Sequence, residues 1–121
     1  MQKKILVIDD DPDTVDIITY VLSEEHYEII SSKSWIIITE ISSIMPDLIL
    51  LDHWLNGTLG SKLCKKLKAN SQTSKIPVVL ISATMGIDSV ASECGADAHI
   101  SKPFDIDYLS EVVALILNIN A

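Results

Sequence analysis

The chain has 121 residues, of which 48% are hydrophobic, so it builds a core without metal or disulfide staples and is not a disordered chain. No apolar run reaches the ~18 residues of a membrane span. The net charge is −8, with nine lysines and no arginine. That argues against direct binding of nucleic acid, which needs a basic face and is read largely through arginine.

The chain opens MQKKILVIDDD. Its apolar stretch, Ile5 to Ile8, is too short for a signal peptide, and the expected compartment is the cytoplasm. Lys4 to Asp9 predicts a buried strand stopped by acids. Pro12 suits the first turn of a helix with Asp11 as N-cap. Val15, Ile18, Val21 and Leu22 then share one helical face. Asp13 and Asp16 are surface charges favourable near a helix N-terminus.

Tyr27 to Ser31 predicts a second strand. The following SWIIITEISSIM is rich in β-branched residues, which favours a strand. However, Ile37, Ile41 and Ile44 are spaced for a helix face, and a crossover is needed there. The expectation is a helix with partly exposed isoleucines. Asp47 to Asp52 predicts a strand ending on an acid. A helix is predicted over Ser61 to Ala69. Its lysines, Lys62, Lys65, Lys66 and Lys68, read most simply as a solvated face. The weaker reading is a docking patch for an acidic partner.

Ile76 to Ser82 predicts a strand ending on a hydroxyl. Ile87 to Cys94 predicts a short helix closed by Gly95. Ala98 to Ser101 predicts a last short strand, followed by Lys102 and Pro103. Ile106 to Asn118 has helical periodicity. Cys64 and Cys94 lie far apart without metal-site spacing, and both read as free, at least partly buried thiols. With no Cys/His spacing, zinc is not expected.

Strands apolar on both faces, alternating with helices, belong in a parallel sheet covered on both sides. The expected fold is an α/β, doubly wound (βα)5 domain spanning residues 1–121. Such sheets place their sites at the carboxyl ends of the strands. Asp9, Asp10, Asp52, Ser82 and Lys102 all follow or close strands, so they converge on one edge. Taken alone, three adjacent aspartates would be a solvated turn; the distant companions reverse that reading. Converging carboxylates repel unless a cation or proton relieves them, and few hard oxygen ligands suit Mg²⁺. A carboxylate beside Mg²⁺ can attack phosphorus to give an aspartyl phosphate. Lys102 and Ser82 are the right chemical types to neutralise the charge of that transfer.

The motifs VIDDDP, LILLDHWLNGTLG, VVLISAT and HISKPF carry a resemblance over essentially the whole chain. The sequence resembles the receiver domain of two-component response regulators. The separations fit that family too, with thirty residues from Asp52 to Ser82 and twenty from Ser82 to Lys102.

The resemblance implies a flavodoxin-like sheet of strand order 2-1-3-4-5 and a signalling module rather than an enzyme. Asp52 matches the phosphoacceptor. Asp10 matches the direct metal ligand, Asp9 the acid that acts mostly through water, and the backbone carbonyl of Trp54 the third protein ligand. The implied metal is Mg²⁺, with Mn²⁺ as a substitute. Ser82 matches the hydroxyl that moves toward the phosphoryl group, and Lys102 the residue that pairs with its oxygens. His99 falls at the rotameric switch position, and Lys102–Pro103 is expected to be cis.

The implied partners are a histidine kinase or histidine phosphotransfer protein and an unknown downstream target, reached through the surface of the fourth helix, fifth strand and fifth helix. Leu55-Asn56 departs from the usual Met-Pro after the acceptor, while Gly60 keeps the glycine that starts the next helix. Trp54 and Thr84 occupy positions that influence water access, which implies slow-to-moderate autodephosphorylation.

The sequence shows no output domain, which fits a stand-alone or an excised receiver. The competing class is an aspartate-nucleophile phosphohydrolase. Such enzymes carry a general acid two residues after the nucleophile, where this chain has Trp54, and nothing leaves room for a cap. Asp88, Glu93, Asp107 and Glu111 oppose a charge-paired dimer through the fourth-to-fifth helix face. The expected state is a monomer or weak dimer.

Overall fold

Five aliphatic runs pair into one parallel sheet. In this computed structural model, which describes residues 2–55, 57–83 and 86–119, the strands are β1 (Lys4–Ile8), β2 (Glu28–Ser32), β3 (Leu48–Asp52), β4 (Val78–Ser82) and β5 (Ala98–Ser101). Their order is β2-β1-β3-β4-β5. The register places Ile5 opposite Leu48 and Asp52 opposite Ile81. The helices are α1 (Pro12–Glu24), α2 (Ile41–Ile44), α3 (Gly60–Ala69), α4 (Ile87–Cys94) and α5 (Ile106–Ile119).

Successive side chains of a strand point to opposite faces, and every residue of β3 and β4 is buried. Leu6, Ile8, Ile49, Leu51 and Leu80 form one core with Ile41, Leu63, Leu67 and Ala91. Ile5, Val7, Leu50, Val79 and Ile81 form the other with Ile18, Leu22, Leu109 and Val113 of α1 and α5. Cys64 and Cys94 are buried free thiols. Burial pushes the Cys64 thiol up to about 12, so it stays protonated.

Capping follows the residue types. Asp11 accepts hydrogen bonds from Asp13 N at 3.2 Å and from Thr14 Oγ1 at 2.7 Å, with Pro12 beginning α1. Gly95 closes α4 at φ +80°.

The segment after β2 departs from the helix expected there. Trp35–Glu40 forms a 3₁₀ helix, capped by the Ser34 hydroxyl, and only Ile41–Ile44 is α-helical. Adjacent β-branched side chains lose rotamer freedom in an α-helix. The tighter turn lets Ile37 and Ile38 pack against the core and leaves Ile36 59% exposed. Between β3 and α3, Trp54–Leu55 and Thr58–Leu59 pair antiparallel as a short hairpin, with Gly57 at φ +81°. The sequence reading places no strand in this loop.

Candidate functional site

The carboxyl edge of the sheet gathers the acids. Asp9 follows β1, Asp52 ends β3, and both are buried, while Asp10 is half-buried. One carboxylate oxygen from each of Asp9, Asp10 and Asp52 lies within 4.8 Å of the others. Asp9 is anchored through Oδ1, which accepts from Asp11 N at 2.9 Å. Asp11 itself is turned to its capping role. The three adjacent aspartates are thus a pair at the site and a helix cap.

Lys102 supplies the local cation. Its Nζ lies 3.1 Å from Asp9 Oδ2 and 3.6 Å from Asp52 Oδ1. Burial by itself disfavours the ammonium, but the Asp9 and Asp52 carboxylates outweigh it and raise the Lys102 pKa. One ammonium does not neutralise three acids. Burial and the Asp9 charge push Asp52 up to about 6, with Asp10 adding to the rise. Lys102 and the Trp54 N–H oppose it.

Three hard oxygens held together at that residual cost fit a small divalent cation, and two of them are buried. Trp54, two residues beyond Asp52, is 57% exposed and pairs with Leu59 in the hairpin.

Ser82 is buried at the end of β4, and its carbonyl accepts from Lys102 N at 2.8 Å. That bond joins the hydroxyl-bearing strand end to Lys102. The Lys102–Pro103 peptide is cis. His99 is half-buried in β5, opposite Leu80. Thr84 lies outside the described residues.

Gly60 begins α3 under the acceptor strand. A Cβ there would overlap the carbonyl oxygen of Asp52 and come 2.8 Å from His53 Cα. The Gly60 N–H donates to His53 O at 2.6 Å, closing the hairpin loop.

The sequence pattern gives His53 no role. It is buried beside Asp52, and its Nδ1 has no partner among the described residues. Burial holds its pKa below the ordinary value, favouring neutral imidazole. Its burial at the end of an apolar strand carries no composition signal.

Among the described residues, no helix is long and apolar enough to cross a membrane. The sequence profile of the response regulator receiver domain matches residues 5–114. The DNA-binding response regulator MtrA of Mycolicibacterium smegmatis is 38% identical over 86% of this chain and 46% of its own length. The phosphate regulon transcriptional regulatory protein PhoB of Escherichia coli is 35% identical over 86% of this chain and 47% of its own. The chain therefore spans about half the length of the curated relatives it matches. By its name MtrA is a DNA-binding protein, and the composition-based expectation that nucleic acid is no partner of this chain is left without support.

Among solved structures, a two-component response regulator from Clostridium difficile superposes with a TM-score of 0.87 at 30% identity, covering 97% of both chains. The receiver domain of NtrX from Brucella abortus gives 0.83 at 33%, covering 94% of this chain and 98% of its own.

Proposed function

The chain belongs to the family of response regulator receiver domains of two-component systems, and from that premise we propose that Asp52 is its phosphoacceptor. The observation that carries this reading is the Asp9–Asp10–Asp52 cluster with Lys102 across its mouth. A histidine kinase or histidine phosphotransfer protein would present a phosphohistidine. As an Asp52 carboxylate oxygen bonds to phosphorus, the phosphorus–nitrogen bond breaks and its electron pair returns to the imidazole.

Asp10 and Asp52, with the Trp54 carbonyl, are the residues that would hold the metal, and Asp9 would do so mostly through water. A bound Mg²⁺, or Mn²⁺ in its place, would neutralise charge on the phosphoryl oxygens. Lys102 pairs with those oxygens, and Ser82 donates to one of them. Drawing Ser82 in, with His99 following, would bias a two-state surface of α4, β5 and α5.

Residues 1–121 act as one such domain in the cytoplasm, with small donors able to phosphorylate it directly. A nucleic-acid target stays open for any longer protein that carries it, as MtrA's name indicates for that relative. Nothing favours the phosphohydrolase reading. Incubation with acetyl phosphate and Mg²⁺ should give one phosphoryl group per chain, lost in Asp52→Asn. Continuous turnover of phosphoesters without a stoichiometric adduct would overturn it.

A further inference from the structure

The four lysines of α3 do not form one solvated face. Lys68 turns inward, with Nζ 2.9 Å from Asp97 Oδ2 and 2.8 Å from the carbonyl oxygen of Ile76. Lys62 and Lys66, one helical turn apart, stay exposed. Among the described residues neither has an ion pair or hydrogen bond from its ammonium. They rim a groove of about 290 Å³ whose other walls are Trp35 of the 3₁₀ helix, Thr58 of the hairpin and Leu63 of α3.

The walls are mostly apolar, and Trp35 is left 36% exposed over them. The volume lies at the lower end of the roughly 300–1,000 Å³ of ligand pockets. One or two apolar side chains fill it, whereas a cofactor would not.

We propose that this groove docks an acidic amphipathic segment of a partner protein. An apolar side chain of the segment enters between Trp35 and Leu63, and flanking carboxylates pair with Lys62 and Lys66. Charge selects this occupant. The chain carries −8 overall, so an apolar groove rimmed by two cations that have no ion pair among the described residues is a local exception, complementary to an anionic partner. An anionic membrane or a duplex presents charge over a broad face. It would bring the chain's other acids within the ~8–10 Å over which charges act at physiological salt. A second copy would bring another −8. A single short segment contacts the groove and its two lysines without covering the rest of the acidic surface.

The test uses unphosphorylated protein, so it is independent of the role of Asp52. Trp54→Phe leaves Trp35 as the sole tryptophan, since the chain has two. Into this protein is titrated a short synthetic amphipathic helix with a leucine stripe flanked by glutamates. A saturable blue shift of Trp35 emission is expected. Binding should weaken by at least about fivefold in Lys62→Glu/Lys66→Glu and fall with rising salt. An unchanged circular dichroism spectrum and urea midpoint would show that the variant folds.

Absence of a shift, equal binding of a lysine-flanked peptide, or unaltered binding by the double variant overturns the proposal. So does a shift with phosphatidylserine vesicles but not with the peptide. Self-association abolished by the double variant would make the groove a dimer contact and also overturn it.

Discussion

Lys102 reaches back across 93 residues to place its ammonium 3.1 Å from Asp9 Oδ2. Asp9 is almost fully buried, so its charge has little solvent to fall back on. Truncating the lysine leaves Asp9 and Asp52 facing each other without a cation. Lys102→Met should therefore lower the stability of the metal-free protein by about 1–3 kcal/mol, less than a fully buried pair because Lys102 is partly exposed. Urea unfolding in EDTA measures the loss. Mg²⁺ should restore part of it, because a cation bound only to the folded carboxylates stabilises them by linkage. An unchanged urea midpoint would refute the account.

The pKa of Asp52 predicts a pH dependence of definite sign. Its folded value, about 6, lies above the ordinary 3.8, chiefly through burial and the Asp9 charge. Below about pH 4 the carboxyl is protonated in both folded and unfolded chains and costs nothing. Above about pH 6 it is ionised in both, and the folded state bears the whole penalty. The Asp52 contribution to stability therefore falls as pH rises through that window. In EDTA, Asp52→Asn should melt above the wild type near neutral pH, with the gap closing toward about pH 4. A gap constant across the range would contradict this assignment.

The strands were legible because aliphatic runs closed by polar residues mark strands buried on both faces. Asp9, Asp52, Ser82 and Lys102 each sit at such a closure, so the sheet edge can be assembled from the sequence. What escaped was set by packing. Trp35–Glu40 offers both strand propensity and helix spacing, and core contacts of Ile37 and Ile38 settled it as 3₁₀. The hairpin strands are two residues each, too short for periodicity. The Asn56-Gly57 dipeptide was the available signal, being a favoured hairpin turn. The commitment of Lys68 to Asp97 depends on two elements meeting in space and has no local signature.

Gly60 tests the close approach of α3 to the acceptor strand. A methyl group there meets backbone atoms of Asp52 and His53, which cannot swing aside like a flexible side chain. Gly60→Ala should cost about 1–3 kcal/mol by urea unfolding. Displacing the Asp52 carbonyl should also weaken Mg²⁺ binding measured by calorimetry. A variant with wild-type stability and Mg²⁺ affinity would show that the loop accommodates the methyl group.

Trp54 stands two residues beyond Asp52, 57% exposed and paired with Leu59 in the hairpin. A large indole at that position is expected to restrict the approach of water to a phosphoryl group on Asp52. Loss of radiolabel from phosphorylated protein should take longer than seconds, and Trp54→Ala should shorten it several-fold. A lifetime of seconds or less in the wild type, or one insensitive to the substitution, would remove Trp54 as the shield.

The faces of α4 and α5 argue for a distinct outcome on activation. Asp88 and Glu93 on α4 and Asp107 and Glu111 on α5 are all exposed. The described residues of these helices contain no lysine or arginine to oppose them. A two-fold contact through this surface would set acid against acid, and like charges brought together at an interface are penalised. The beryllofluoride-activated protein should therefore not form a charge-paired dimer through this face. Light scattering at low salt, where repulsion is least screened, should report a monomer. A dimer that tightens as salt is lowered would show that favourable ion pairs form there and would refute the prediction.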